Sequence, residues 1–265
     1  MTQFDAHEYW QRRLEDDWSL RGVGQRRLGA SFNEYAYRRR GERFEKVVNE
    51  FVPDVKSARV LDVGSGTGFY LDRWQRAGAK EVVGLDITEA AVANLKTRFP
   101  GVDVHLGDIS QGMGEFSAGS FDVVSAFDVL FHIVDDDLFS AALRTIAQLL
   151  RRGGIFLWSD FFVHGAKVTD RHIVFRNVDQ TETLLDACGL QVLGRRPMFF
   201  TMAEPRDARG NALLFGWRAV MGFATLSESL ARPIAKAAYR VDGWLDTRYP
   251  QESVSMEYMA CVKAQ

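Results

Sequence analysis

The sequence predicts an α/β protein: a doubly wound, mostly parallel seven-stranded sheet with helices on both faces, an N-terminal helical cap and a helical insert before the last strand. Three observations predict it. Short apolar runs alternate with helical patterns from residue 58 onward, the rhythm of strand–helix–strand units. Continuous apolar strands such as Val123-Val124-Ser125-Ala126-Phe127 suit a sheet covered on both faces. The run Val60-Leu61-Asp62-Val63 passes into a glycine loop that opens a helix.

In chain order the strands are expected near Arg59–Val63, Glu81–Leu85, Asp103–Leu106, Phe121–Phe127, Gly154–Phe161, Leu190–Thr201 and Ser253–Val262. Helices fill the gaps at about Tyr70–Ala77, Glu89–Phe99, Asp136–Arg151 and Asp179–Ala187. Pro100-Gly101 and Arg152-Gly153-Gly154 punctuate helix ends. Residues 1–56 read as the helical cap, 57–202 as the α/β core, 203–250 as the insert and 251–265 as the strand that completes the sheet, six strands parallel and one reversed. Within the insert, Leu213, Leu214, Trp217, Val220, Met221 and Ala224 follow helical spacing, as do Leu230, Ile234, Ala238, Val241 and Leu245. Such helices roof a pocket, form a dimer face or simply pack on the sheet edge; the spacing alone leaves all three open.

A chain of 265 residues can bury a sizeable core, and its formal net charge of -2 gives no electrostatic reason to expect nucleic acid. The early arginines (Arg12, Arg13, Arg26, Arg27, Arg38, Arg39, Arg40) are interleaved with acids and read as a solvated helical face. Cys188 and Cys261 make neither a metal spacing nor a disulfide framework. No apolar signal core opens the sequence and no apolar run reaches membrane-spanning length, so a cytoplasmic location is expected.

The glycine loop decides the ligand. In Asp62-Val63-Gly64-Ser65-Gly66-Thr67-Gly68-Phe69, Phe69 takes the third position of the dinucleotide fingerprint G-x-G-x-x-G, and no Gly-Lys-Ser/Thr follows as a P-loop needs. Val82-Val83-Gly84-Leu85-Asp86-Ile87 ends a second strand in a carboxylate, where doubly wound folds bind ribose hydroxyls; Thr88 is better placed than Asp86 for the alternative role of helix cap. A third strand ends in Leu106-Gly107-Asp108-Ile109, and a fourth runs from Phe121 through Phe127-Asp128-Val129-Leu130-Phe131-His132.

These four stretches resemble, in order and spacing, the motifs of class I S-adenosylmethionine (AdoMet)-dependent methyltransferases over roughly residues 55–200. The resemblance implies S-adenosyl-L-methionine as cofactor and a small-molecule acceptor. It places Asp62, Gly64, Ser65, Gly66 and Gly68 in the cofactor loop and Asp86 on the ribose. Asp108 then meets the adenine amino group, with Ile87 and Ile109 sandwiching the ring, and Phe127 and Asp128 line the methionine end. In many members a segment upstream of the core closes over the cofactor; by residue type Tyr37 and Arg38 suit its carboxylate, and an amphipathic packing helix is the other reading.

Methyl transfer is an in-line displacement in which proximity and orientation supply on the order of 7–11 kcal/mol in good cases. A base is needed only for a weakly acidic hydroxyl or a protonated amine. His132 is the candidate base, with a structural histidine bonded to a backbone carbonyl as the alternative. Asp160, His164 and His172 are lesser candidates. Asp135-Asp136-Asp137 reads as a helix opening, not a metal site, and no metal-ligand set is identified.

The expected acceptor is an oxygen of a saccharide or secondary metabolite. Rival readings are a small-molecule N-methyltransferase and a non-catalytic AdoMet-binding protein that uses the 203–250 insert as its interaction surface. A nucleic-acid methyltransferase is disfavoured because Asp128-Val129-Leu130-Phe131 lacks a base-stacking Pro-Pro-Tyr/Phe-like motif. A homodimer is permitted, not required.

Overall fold

A computed structural model of the chain describes residues 4–170, 172–208 and 210–264. Helices α1 (Ala6–Asp16), α2 (Leu20–Val23) and α3 (Gly29–Phe51) precede the first strand. The core then alternates β1 (Arg59–Val63), α4 (Phe69–Ala77), β2 (Glu81–Asp86), α5 (Glu89–Arg98), β3 (Asp103–Leu106), β4 (Phe121–Ala126), α6 (Asp136–Leu149) and β5 (Leu150–Asp160). A short hairpin, β6 (Val168–Asp170) and β7 (Ile173–Phe175), leads to α7 (Val178–Ala187) and β8 (Leu190–Pro197). Helices α8 (Ala212–Ala224) and α9 (Glu228–Arg248) precede the last strand, β9 (Glu257–Lys263).

The sheet order is β3-β2-β1-β4-β5-β9-β8, with β9 antiparallel to both of its neighbours and the other pairs parallel. Side-chain alternation along each strand builds two cores. Val60, Val123 and Leu157 face the layer of α3, α4 and α9; Leu61, Val124 and Trp158 face Leu143, Ile146 and Leu185 of α6 and α7. Local signals set the helix ends. Thr88, Asp135, Asn177 and Ser227 each accept a backbone N–H at an N-cap, and Gly78 closes α4 in the left-handed region at φ 85°.

Several boundaries differ from expectation for identifiable reasons. Helix α6 stops at Leu149, because Leu150 already pairs with Phe121 and starts β5 before the Arg152-Gly153-Gly154 turn signal. Strand β4 ends at Ala126, since Asp128 turns to φ 62°. Strand β8 ends at Pro197, after which Met198 and Phe199 both donate to the Met256 carbonyl, and β9 begins at Glu257 for the same reason. The β6–β7 hairpin is too short to give a sequence signal.

Two expectations about side-chain faces are overturned. Arg39 and Arg40 are buried, as is Arg43, so this part of α3 is no solvated face. Their partners explain the burial. Asp246 Oδ2 accepts from Arg43 at 2.7 Å and pairs with Arg39 and Lys46 at 3.2 Å, while Arg40 pairs with Asp128 at 2.8 Å. The buried face of α9 is accordingly Ala231, Ala235, Ala238, Asp242 and Asp246; Leu230 and Val241 of the expected apolar stripe are exposed.

Burial pushes the carboxyls of Asp62, Asp160 and Glu257 each up to about 7. Unfolded, they titrate near about 4. Between those values the folded chain holds more protons than the unfolded one, so stability is greatest on the acid side and is lost as pH rises through about 7. The melting temperature should therefore fall between about pH 5 and pH 8. Asp62→Asn, which keeps an acceptor for Ser125, should flatten that slope; an unchanged slope would remove Asp62 from the account.

Candidate active site

A single cavity gathers the loops at the carboxyl ends of β1, β2, β3 and β4, where doubly wound sheets bind ligands. Its floor is the glycine loop. Gly64, Gly66 and Gly68 all have positive φ, and each serves a different need. A Cβ on Gly64 would lie 2.3 Å from Val129 Cγ2, and one on Gly68 2.3 Å from Phe99 Cε2, so these two permit close packing. A Cβ on Gly66 would meet nothing nearer than Val23 Cγ1 at 3.5 Å; a side chain there would fill the cavity.

Asp86 organises the loop. Its Oδ2 accepts from the Gly66 N–H at 2.8 Å, and its Oδ1 accepts from the Thr88 N–H and hydroxyl. Burial raises its carboxyl, opposed by these hydrogen bonds. Below the loop, Asp62 Oδ1 accepts from Ser125 Oγ at 2.7 Å, and the Asp62 carbonyl accepts from Ser65 Oγ.

Of the residues singled out in the sequence, Tyr37, Gly64, Ser65, Gly66, Asp86, Ile87, Asp108, Ile109, Phe127, Asp128 and His132 all line the cavity. Three do not. Asp62 is buried under the loop, Gly68 caps α4 against Phe99, and Arg38 points to solvent, pairing with Glu42 and stacking over Tyr239. The guanidinium two residues on, Arg40, instead holds Asp128 and lies 4.9 Å over the Tyr37 ring. Burial pushes the Tyr37 phenol up to about 12, so it stays a neutral donor.

Asp128 is the one described non-glycine residue with positive φ. Its N–H donates to Ser159 Oγ at 2.8 Å, the Ser159 hydroxyl donates to Oδ1, and Arg40 Nε donates to Oδ2. Three bonds therefore hold a backbone conformation that L side chains disfavour.

His132 donates from Nδ1 to the His172 carbonyl at 2.9 Å, which leaves the lone pair on Nε2. Its ring is enclosed edge-on by Trp10 at 4.8 Å and stacks on His172 at 5.8 Å. Burial lowers its pKa to about 3, so the imidazole is neutral at physiological pH. The apolar enclosure removes the water that would stabilise the cation, so this candidate base does not take up a proton near neutrality as a free imidazole would. His164 turns away to pair with Asp207, and Asp160 is buried outside the cavity lining.

The lid of the cavity was not legible in the sequence. Ala6, Trp10 and Leu14 of α1 and Val23 of α2 cover it, and none of the described residues of 203–250 lines it. Of the three roles left open for the insert, roofing this cavity is taken instead by the first helix, which docks on α5 through a His7–Glu89 pair and a bond from the Ala90 N–H to Gln11. Asp5, which caps α1, and the aromatic pair Tyr9-Trp10 were the available signals.

Residues 60–154 match the family model described as a methyltransferase domain. Residues 60–154 thus form a methyltransferase domain, similar to those of the class I AdoMet-dependent type. Its core is similar to the ubiquinone biosynthesis O-methyltransferase of Nitrosococcus oceani, at 35% identity over 104 residues, 38% of this chain and 42% of that one. A longer match, 29% identical over 171 residues, joins it to the dTDP-4-amino-2,3,4,6-tetradeoxy-D-glucose N,N-dimethyltransferase of Saccharopolyspora spinosa, covering 62% of this chain and 65% of that one. The chain thus aligns with less than two thirds of the length of either relative. The fold of the whole chain matches the crystal structure of magnesium protoporphyrin IX methyltransferase from Synechocystis with bound S-adenosylmethionine: TM-score 0.59, 15% identity, all of both chains covered.

The methyltransferase domain offers the donor set that AdoMet requires. The Gly66 cradle, which a side chain would fill, admits a ligand to the backbone, and Asp86 keeps a lone pair on Oδ2 beyond the Gly66 bond it already accepts. Asp108 closes the far side of the cavity, where its Oδ1 accepts from Ser110. Among the described residues no helix is long and apolar enough to cross a membrane.

Proposed function

We propose that this chain transfers a methyl group from AdoMet to an oxygen of a small molecule, a saccharide or secondary metabolite. The observation that carries the reading is a cavity bounded at one end by a carboxylate and a glycine cradle and at the other by a neutral imidazole with a free lone pair. AdoMet, when bound, supplies a methyl group already activated on a sulfonium. The residues of the chain then have to bind, orient and exclude water.

Asp86 takes the ribose hydroxyls, and Ile87 and Ile109 hold the faces of the adenine while Asp108 accepts its amino group. The backbone at Gly64 and Gly66 borders the methionine portion, with Ser65, Phe127, Asp128 and the Tyr37 phenol around it. Trp10 and Leu14 of the lid keep bulk water from the reacting centre. His132 Nε2 accepts the hydrogen of the acceptor hydroxyl, which fixes an oxygen lone pair toward the methyl group. Because burial weakens this imidazole as a base, its main contribution is orientation; as the carbon–oxygen bond forms and the methyl–sulfur bond breaks, the alkylated oxygen becomes acidic enough to pass its proton to Nε2, and from there to solvent.

His132→Ala should lower kcat by about 10²-fold, the low end for an acid–base group, and leave AdoMet affinity unchanged. Because the imidazole is neutral far below physiological pH, no acid limb from His132 should appear between about pH 5 and pH 8. Near-normal turnover of the variant would sink the assignment.

An amine acceptor is the second reading, supported by the sugar N,N-dimethyltransferase match. Incubation with methyl-labelled AdoMet and fractionated extracts separates the two. Label in a neutral hydroxylated fraction is the expected outcome, and label in a basic fraction would favour the amine. Tight AdoMet binding with no transfer to any pool would count against catalysis.

A further inference from the structure

Helix α8 departs from the rule that a surface helix turns polar residues outward. Its inner side is anchored: Met221 and Ala224 are buried, and Trp217 Nε1 donates to the Thr201 carbonyl at 2.7 Å. Its outer side is apolar as well. Leu213, Phe215, Val220 and Phe223, with Leu226 just beyond, are each between 51% and 69% exposed. The helix has one charged residue, Arg218, which pairs with Glu204. A further exposed aromatic, Trp244, lies on α9. Apolar surface of this extent on a soluble domain marks an interaction site.

The charges of α9 without a partner among the described residues are cations. Lys236, Arg240 and Arg248 of α9 are exposed and have no ion pair among the described residues. The acids of the same helix are all engaged elsewhere. Glu228 accepts from the Ala30 and Ser31 N–H groups, Asp242 from Phe200 and Thr201, and Asp246 from Arg43. The hairpin therefore presents aromatic and aliphatic side chains beside uncompensated cations.

We infer that the α8–α9 hairpin docks on the surface of an anionic lipid bilayer. Phe215 and Phe223 enter the boundary between headgroups and acyl chains, and Lys236, Arg240 and Arg248 meet lipid phosphates. A second copy of the chain fits the patch less well, because a two-fold contact sets the same cations against one another. The hairpin lies on the membrane and does not span it.

The test is co-sedimentation of the purified chain with vesicles of equal parts phosphatidylglycerol and phosphatidylcholine, against phosphatidylcholine alone, at low and high salt. Partition into the anionic vesicles only, weakened by salt, is expected. Lys236→Glu with Arg240→Glu should reduce it by about thirtyfold or more, taking roughly 1 kcal/mol per basic residue near the surface. Phe215→Ser with Phe223→Ser should abolish it, and both exposed pairs should keep native circular dichroism and AdoMet affinity. Three results would overturn the inference: no partition into anionic vesicles, equal partition into neutral ones, or a dimer in sedimentation velocity that the Phe pair dissociates. The readout does not involve catalysis, so its failure is separable from failure of methyl transfer.

Discussion

Gly66→Leu should bind AdoMet at least about 100-fold more weakly than the parent chain while melting only a few degrees lower. The backbone at Gly66 has φ 52°, a conformation that costs an L side chain roughly 1–2 kcal/mol. That strain is modest because the first added carbon meets nothing within 3.4 Å. The remainder of the leucine extends into the space that a ligand must use, and its cost falls on binding alone. The Gly66 N–H to Asp86 bond would also shift, moving the carboxylate assigned to the ribose. Gly64→Leu and Gly68→Leu should behave differently: their first carbons collide with Val129 and Phe99, so both should unfold the loop region. Isothermal titration of AdoMet beside a thermal melt separates the classes. Retained affinity in Gly66→Leu would overturn the cradle assignment, and so would a collapse of stability as large as that of Gly64→Leu.

A second large effect is expected far from the cavity. Asp246→Ala should cost about 3–5 kcal/mol of folding stability, read as a fall in the urea midpoint at unchanged slope. The variant leaves Arg39 and Arg43 buried on α3 without their carboxylate, and the uncompensated guanidinium groups carry the penalty. Lys46, which is largely solvated, simply turns to water. Removing all three buried partners at once, with Arg39→Met, Arg43→Leu and Asp246→Leu, should recover most of the loss, because the desolvation cost of both signs disappears together. A loss below about 1 kcal/mol for the single variant would mean that water reaches the cluster and screens it.

The asymmetry between core and periphery in what the sequence made legible follows from this cluster. In β1, β2 and β4 the inner positions are buried on both faces and mostly apolar (Val60, Leu61, Val63; Val82, Val83, Leu85; Phe121, Val123, Val124, Ala126), so composition locates them, and Thr88 and Asp135 announce the helices that follow. The cavity floor was equally legible, since a glycine loop, Asp86 and Asp108 recur at the ends of successive strands. Helix α9 hides its orientation because its buried face carries Asp242 and Asp246, whose partners are Arg39 and Arg43 some 200 residues earlier on α3 and the backbone N–H groups of Phe200 and Thr201 just beyond β8. No periodicity in one segment encodes a partner in another. Tyr37 and Arg40 illustrate the same limit: helical spacing put a cation near the phenol, but only the packed structure selects Arg40 over Arg38. Helix α1 was hardest to place, for its role as lid depends on contacts with α5 and His132 that no local pattern records.

Asp128 has a consequence for which amino acids position 128 can accept. Asparagine and glycine suit the left-handed backbone but surrender the charge that Arg40 faces. Glutamate keeps the charge but, with a longer side chain, loses the ready access to that backbone region and the short reach to Ser159. Every β-branched or aromatic residue fails on conformation alone. Of the twenty genetically encoded choices, aspartate is the one that meets both demands, so this turn admits almost no variation unless positions 40 and 159 change with it.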